Sequence, residues 1–346
     1  MPDLSVVQGK YLRDILDQPR ALEQTLESLK RNAGLGEIAA QLWNGKFQRI
    51  VLTGMGSSFH GLHPLNLQLI EHGFSASMVE TSELVHYQRR FLDPATLLVA
   101  VSQSGRSAEI VRLLDENRNR AAVVAVTNTQ ASPLASRADA VVLTRAGEEF
   151  SVSCKTYVCA LMALQWVGDA LCGKDPRWQD LQLAAPAVAS YLSNWQDHVQ
   201  SLTKELNDIT RLFLVGRGAS LAAVGTGALT IKESDHFQAE GMSSAAFRHG
   251  PFEMLTPESF VLVFSGDGRT RDLNTKLFAD IRGRGSRADQ IGEEALLPAL
   301  LLSAAASSIR PILEILPVQM ITLALGAIAG REPGRFDFAT KVTTTE

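Results

Sequence analysis

Two pairs of repeated segments constrain the fold of this chain more than any other feature. Residues 49–58 (RIVLTGMGSS) align with residues 211–220 (RLFLVGRGAS), 162 positions further along. Residues 97–107 (LLVAVSQSGRS) align with residues 260–270 (FVLVFSGDGRT), 163 positions further along. Two matches in the same order at nearly one offset indicate a duplication. We therefore predict two similar halves, which meet between about residues 175 and 207.

Short apolar runs alternate with helical patterns in each half. The strand candidates of the first half are residues 49–53, 97–101, 121–127 and 138–143, and its helix candidates are residues 58–72, 107–118 and 155–172. This alternation predicts an α/β fold with a parallel sheet and helices on both faces in each half. The predicted regions are an N-terminal helical segment over residues 1–35, interrupted at Pro19, a first domain over 36–180 and a second domain over 195–346.

Composition argues against several classes of protein. The chain has 45% apolar residues, 20% charged residues and a net charge of −4 without a Lys/Arg block, so we expect no nucleic-acid binding. The most apolar run, residues 295–309, is broken by Pro298, and no signal peptide is visible, so we expect a cytoplasmic protein without membrane contact. The three cysteines form no CxxC pair, which favours buried thiols. His60 and His63 lack a suitably spaced carboxylate, so no metal site is predicted.

Two serine-rich loops, residues 55–58 and 102–107, each follow a predicted strand at the same edge of the sheet. A helix N-terminus there offers unpaired N–H groups and a partial positive charge, which suit a phosphate. Serines before helices are often simple N-caps, but two such loops favour an anion site. The loops match neither a Walker A motif nor a full dinucleotide fingerprint. In the second half, Asp267 would repel phosphate, so we expect one phosphate site per chain.

These loops, together with residues 146–154, 213–218, 232–233, 239–240, 248–251 and the tail at 341–346, resemble the SIS (sugar isomerase) domain family. The similarity is greatest to the isomerase half of glucosamine-6-phosphate synthase. The resemblance implies two three-layer αβα domains, each with a flavodoxin-like sheet, a sugar-phosphate ligand, no cofactor and a homodimer.

The resemblance also implies roles for individual residues. Glu233 would move a proton between C1 and C2 of the sugar, and His249, of the same or of the neighbouring subunit, would open the ring. Lys341 would meet the open-chain carbonyl as a Schiff base or as a hydrogen-bond donor. The residues implied for phosphate binding are Ser57, Ser58, Ser102, Gln103, Ser104 and Ser107, and those implied for sugar binding are Val152, Ser153 and Thr230.

The chain departs from the synthase pattern at several positions. Thr226 and Thr230 stand where the synthase has an acid and a lysine, on the helical face of Glu233. Ala246 and Arg106 each stand where the pattern of related sequences has an acidic residue. The sequence also has no nucleophilic N-terminal cysteine of a glutaminase domain. The leading hypothesis is an isomerising deaminase that converts glucosamine 6-phosphate to fructose 6-phosphate and ammonia. The alternatives are a deglycase of fructosamine-type 6-phosphates and a non-catalytic regulator that binds sugar phosphates.

Overall fold

The computed structural model describes residues 3–32, 34–343 and 345, which form two compact units. The first-half unit contains the described parts of residues 20–149, 155–182 and 339–346. The second-half unit contains those of residues 1–19, 150–154 and 183–338. These units divide the chain differently from the ranges drawn from sequence. The N-terminal segment divides after Pro19, and the C-terminal tail belongs to the first-half unit.

Strands and helices alternate along the described residues. The helices are α1 (Lys10–Leu16), α2 (Gln18–Lys30), α3 (Gly36–Trp43), α4 (Gly56–His60), α5 (His63–Glu71), α6 (Thr81–Tyr87), α7 (Ala108–Asn117), α8 (Pro133–Arg137), α9 (Lys155–Leu171), α10 (Trp178–Leu192), α11 (Trp195–Leu206), α12 (Leu221–Asp235), α13 (Ser244–Arg248), α14 (Arg271–Gly283), α15 (Arg310–Glu314) and α16 (Leu316–Ala329). The strands are β1 (Arg49–Gly54), β2 (Ala76–Glu80), β3 (Thr96–Val101), β4 (Ala122–Thr127), β5 (Ala140–Leu143), β6 (Arg211–Gly216), β7 (Ala239–Ser243), β8 (Ser259–Phe264) and β9 (Arg287–Ile291).

The first-half unit contains a parallel sheet with the order β2-β1-β3-β4-β5, which is the flavodoxin-like order. Every residue of β3 is buried, as its continuous apolar sequence predicts. Apolar residues of α6, α7 and α8 pack on one face of the sheet, whereas α9 contacts β4. The predicted helix over residues 58–72 is instead two helices, because Pro64 starts a new helix at the first turn of α5.

The second-half unit contains a parallel sheet with the order β7-β6-β8-β9. Phe213 and Val215 pack with α13 and α14 on one face, and Leu214 points to α12 on the other. A fifth strand is reduced to a single parallel bridge between Leu301 and Gly292. Both sheets therefore confirm the predicted α/β class with helices on both faces.

The sequence predicts residues 295–309 as the most apolar long segment. In the structure the most apolar long segment is instead residues 310–329. Among the described residues, Arg310–Ala329 is the one stretch long and apolar enough to span a membrane, and 89% of its most apolar window is buried. Burial of this kind is typical of a helix at the core of a globular domain. Cys154, Cys159 and Cys172 are buried, as predicted.

A buried carboxylate ties α9 to the start of α10. Asp169, fully buried on α9, accepts hydrogen bonds from Arg177 Nη2 at 2.7 Å and from Gln68 Nε2 at 2.8 Å. We expect Asp169→Ala to lower the free energy of unfolding by about 3 kcal/mol, because buried donors lose their acceptor. Urea denaturation would measure this change. The control is Asp115→Ala, which breaks an exposed ion pair with Arg137 and should cost less than about 1 kcal/mol. Equal losses in both variants would contradict the prediction.

Candidate functional site

The predicted phosphate loop is a tight turn between β3 and α7. Gly105 adopts a left-handed φ of 61°, and its N–H donates to the hydroxyl of Ser102 at 3.1 Å. The backbone carbonyl of Gln103 accepts hydrogen bonds from Asn128 N at 3.1 Å and Thr127 Oγ1 at 3.2 Å. These hydrogen bonds hold the backbone of the loop in its turn.

The loop after β1 lies next to the end of β3. A Cβ atom added to Gly54 would lie 3.1 Å from the carbonyl oxygen of Val101 and 3.1 Å from the backbone of Ser58. Ser57 and Ser58 are half-buried in the short helix α4. The structure therefore brings the two serine-rich loops together at the carboxyl edge of the first sheet, as the strand order requires.

Ser107 is the N-cap residue of α7, but its side chain makes no capping hydrogen bond. The N–H of Ala108, in the first turn of α7, instead donates to the carbonyl oxygen of Thr343 at 3.1 Å. The C-terminal tail thus lies against the end of α7 that follows the phosphate loop. Sequence spacing could not show this contact, since more than 200 residues separate its partners.

Lys341 in the same tail forms an ion pair that the sequence analysis missed. Its Nζ lies 2.5 Å from Glu149 Oε2, and the side chain of Glu149 is fully buried. Thr156 donates to the same carboxylate through its N–H at 3.0 Å and through its hydroxyl at 2.6 Å. Burial by itself raises the pKa of Glu149, but the Lys341 ammonium and the Thr156 donors outweigh it and hold that pKa below its usual value. Glu149 is therefore ionised at neutral pH.

Helix α12 presents the predicted proton shuttle. Glu233 is half-buried, and Thr230 and Thr226 lie one and two turns before it, respectively, on the same face. Both threonines are almost fully buried, and their hydroxyls have no hydrogen-bond partner within the described residues. A buried, unpartnered hydroxyl is unusual, which is consistent with a face built to contact a polar ligand.

His249 lies on the other side of the same sheet. It is the exposed C-cap residue of α13, and Phe247 of that helix packs in the cluster with α14. Glu233 is on α12, which packs against Leu214 on the opposite face. The structure therefore does not bring His249 and Glu233 together on one face of the second sheet.

Val152 and Ser153 belong to the segment 150–154 of the second-half unit. Val152 is buried, and Ser153 is half-buried. The segment is held by hydrogen bonds from Phe150 N to Asp14 Oδ2 at 2.7 Å and from the Ser151 hydroxyl to the carbonyl oxygen of Gly334. Among the described residues, no cluster of three or more His, Cys, Asp or Glu side chains could hold a metal ion.

The loop of the second half differs from its first-half copy in charge. Asp267 is exposed there, and Glu314 on α15 is buried, with a hydrogen bond from the Ser220 hydroxyl at 2.9 Å. Burial raises the pKa of Glu314 to about 7, and the charge of Asp267 acts in the same direction. Two acidic groups at this edge support the expectation that phosphate binds in the first half alone.

Glu314 should make the stability of the protein depend on pH. Its carboxyl has a pKa of about 7 in the folded chain and an ordinary value of 4.5. Between these values the folded state binds more protons than the unfolded state, so stability falls as pH rises through this window and then levels off. We expect Glu314→Gln to remove roughly 3 kcal/mol of this fall. Urea denaturation of both proteins from pH 4.5 to 8 measures the difference, and parallel pH curves would contradict it.

A cleft of about 1380 Å³ opens beside the phosphate loop, between α2 and the loops after β4 and β5. Gln103 is the one predicted phosphate residue among its lining residues, which include Arg31, Asn128 and Arg145. The cleft therefore adjoins the phosphate loop and is not centred on it.

The SIS domain model matches residues 41–167 and 205–288, and the chain belongs to the SIS domain family. Its sequence is 27% identical over 348 residues to glutamine–fructose-6-phosphate aminotransferase (isomerizing) of Pyrococcus horikoshii. That alignment covers 97% of this chain and 57% of the relative, so the chain spans little more than half of the relative's length. These matches confirm the resemblance inferred from the loops and the tail.

Two solved structures have the same fold. Tagatose-6-phosphate ketose/aldose isomerase from Escherichia coli superimposes with a TM-score of 0.82 and 20% identity, over 96% of this chain and 97% of that one. Glucosamine-6-phosphate deaminase from Thermotoga maritima superimposes with a TM-score of 0.80 and 16% identity, over 97% and 100%. At sequence identities of 20% and 16%, these structural similarities establish the fold alone.

Proposed function

We propose that this protein isomerises an aminosugar phosphate, and that it converts glucosamine 6-phosphate to fructose 6-phosphate and ammonia. One observation supports this proposal most strongly. The tail that contains Lys341 lies on α7, directly after the phosphate loop. A sugar phosphate anchored by its phosphate at Ser102–Ser107 would then extend towards an amine-bearing side chain. Such positioning of a ligand beside a reactive group is the main requirement of this chemistry.

Each group has a defined part in the proposed reaction. The N–H groups and hydroxyls at the start of α7 bind the phosphate. Glu233 removes the proton from C2 of the open-chain sugar and returns it to C1. A second proton passes from the amino group at C2 to the oxygen at C1, so the rearranged product has an imine at C2, which water hydrolyses to the ketone and ammonia. The curated relative named above is an isomerizing aminotransferase, and a structural neighbour is a glucosamine-6-phosphate deaminase, which supports this choice of substrate class.

A homodimer is part of the proposal. His249 is exposed and lies on the face of the second sheet opposite Glu233. If it opens the sugar ring, it acts most simply in the site of a neighbouring subunit. Size-exclusion chromatography with light scattering would measure the mass in solution, and a strictly monomeric active enzyme would exclude this role for His249.

The assay compares three phosphorylated ligands with one matched control. Purified protein is incubated with glucosamine 6-phosphate, with a fructosamine 6-phosphate and with fructose 6-phosphate, and sugar products and ammonia are measured. Unphosphorylated glucosamine is the control, because it lacks only the anchoring group. We expect turnover of glucosamine 6-phosphate and none of glucosamine. Turnover of the fructosamine alone would indicate a deglycase. Binding of sugar phosphates without any turnover would indicate a regulator and overturn the proposal.

A further inference from the structure

A short segment of the second-half unit, residues 331–334 (REPG), follows α16 and is called the brace below. Its first residue is fixed to the end of α16, because the N–H of Arg331 donates to the carbonyl oxygen of Gly326 at 2.9 Å. Pro333 is buried over the same turn, where a Cβ added to Gly326 would lie 3.0 Å from Pro333 Cδ. Since proline also fixes its own φ, the brace follows a defined path away from α16.

The brace contacts the last turn of α12 at the carbonyl oxygen of Ser234. That oxygen accepts a hydrogen bond from Arg331 Nη2 at 2.9 Å and another from the N–H of Gly334 at 3.0 Å. The last four carbonyls of a helix have no N–H partner within the helix, and a cation at this end is favourable. Glu233 directly precedes Ser234 in the same turn. The brace therefore holds the backbone from which the Glu233 side chain extends.

The same glycine of the brace also holds the segment that contains Val152 and Ser153. The carbonyl oxygen of Gly334 accepts a hydrogen bond from the hydroxyl of Ser151, which is buried. Its N–H donates to Ser234, as described above. The backbone of Gly334 thus joins two segments that are distant in sequence, one with the residues predicted to bind the sugar and one with the predicted proton shuttle.

Position 334 requires a glycine for two reasons. Its φ is 79°, which lies in the left-handed region that favours glycine. An added Cβ would also lie 2.7 Å from Cγ and 2.8 Å from Cβ of Tyr11. Tyr11 is buried on α1, and its hydroxyl accepts a hydrogen bond from Thr322 at 3.3 Å. Because Tyr11 is packed in the core, a side chain at position 334 must displace the brace.

We propose that Arg331 and Gly334 are positioning residues, which hold the turn of Glu233 at a fixed distance from the segment of Val152 and Ser153. The inference rests on the proposed function, in which Glu233 moves a proton of a sugar that this segment contacts. Neither Arg331 nor Gly334 touches the reacting atoms in this scheme. They act on kcat, because the base of a proton transfer must lie within hydrogen-bond reach of the proton.

The first test compares two alanine variants that both place alanine at a left-handed φ. Gly334→Ala adds the clash with Tyr11, whereas at Gly330, with a φ of 63°, an added Cβ would meet nothing within 4 Å. We expect kcat for glucosamine 6-phosphate to fall about a hundredfold in Gly334→Ala, with KM changed less than about threefold, because a misplacement of about 1 Å can cost this much. Gly330→Ala should keep kcat within about twofold. Equal kcat values in the two variants, or a loss confined to KM, would overturn the proposal.

A second set of variants adds no clash to the brace and serves if Gly334→Ala does not fold. Arg331→Gln removes the charged donor to Ser234, and Arg331→Lys keeps a cation that can donate to the same oxygen. We expect kcat to fall about tenfold in the glutamine variant and about threefold in the lysine variant, with KM unchanged in both. Arg335→Gln, at an exposed position just after the brace, should keep kcat within about twofold. Equal losses in Arg331→Gln and Arg335→Gln, or no recovery in Arg331→Lys, would exclude this role for Arg331.

Hydrogen exchange separates this inference from the proposed function, because it needs no substrate. Peptides that cover residues 150–154 and 228–238 are followed by mass spectrometry in the protein without ligand. Their protected amides should exchange at least about tenfold faster in Gly334→Ala than in the wild type, and at an unchanged rate in Gly330→Ala. Unchanged exchange in Gly334→Ala would refute the brace even if the enzyme is active. Faster exchange in a protein whose wild type turns over no sugar phosphate would support the brace and refute the proposed function.

Discussion

Replacing Glu233 with glutamine should lower kcat for isomerisation by about a thousandfold and change sugar-phosphate affinity less than about threefold. A proton that moves between adjacent carbons needs one base that can take it up and return it on the same face of the enediol. Glutamine keeps the shape of the side chain but accepts no proton. The phosphate loop lies in the other unit of the chain and keeps its donors, so binding should persist. Steady-state kinetics and calorimetric titration of the inactive variant measure the two effects.

Lys232→Gln is the matched control for this experiment. It removes the charge next to Glu233 on α12, and Lys232 is exposed. The control should retain activity within about twofold, since a solvated surface charge contributes little. If Glu233→Gln retained more than about a tenth of the wild-type kcat, the proton shuttle would have to be another residue.

Adding one methyl group at Gly105 should weaken sugar-phosphate binding by at least about a hundredfold. Gly105 has a φ of 61°, and an added Cβ would lie 2.3 Å from Ser132 Oγ and 2.8 Å from Ser132 Cβ. Ser132 cannot move aside at low cost. Its hydroxyl caps α8 by accepting from Ala135 N at 3.2 Å, and it donates to Thr129 O at 2.8 Å. The loop backbone must therefore shift, and the N–H groups at the start of α7 would lose their common direction.

Gly45→Ala provides the control for backbone strain. Gly45 has a φ of 76°, and an added Cβ there would meet nothing within 4 Å. Both variants place alanine in the left-handed region, which lowers stability by about 1–2 kcal/mol in each case. Only Gly105→Ala also introduces the steric clash with Ser132. Thermal denaturation and calorimetric titration with a sugar phosphate would measure stability and binding. Equal affinity in the two variants would show that Gly105 is not needed for the anion site.

The fold was largely predictable because its signals are local. The apolar runs of β1, β3, β4 and β5 are visible in sequence because these strands are buried. β2 was missed, since the edge strand Ala76–Glu80 is half exposed and includes Ser77 and Glu80. The missing fifth strand of the second sheet was also not foreseen, although Pro298 disfavours a strand where the chain instead forms a short turn.

Some parts of the candidate site follow from local sequence, whereas others depend on contacts between distant residues. The candidate phosphate loop can be predicted from sequence because Ser102, Gly105 and Ser107 occupy nearby positions after one strand. The helical face of Thr226, Thr230 and Glu233 follows from spacing alone. The ion pair between Glu149 and Lys341 could not be identified, because its partners are 192 residues apart. The local signals were the pair of acids at 148–149 and the family resemblance of residues 146–154 and 341–346, and neither showed that the two segments are in contact.

The order of residues alone shows that the chain is duplicated and that each half is an α/β unit, and it predicts phosphate binding at the first copy of the loop because the second copy is acidic. These properties depend on residue type and local spacing, which fix backbone conformation and charge. The folded structure was needed to show that the tail joins the first-half unit beside α7, that Glu149 pairs with Lys341, and that His249 and Glu233 lie on opposite faces of one sheet. These properties arise from contacts between distant segments, where burial of a charge requires a partner that no local pattern specifies.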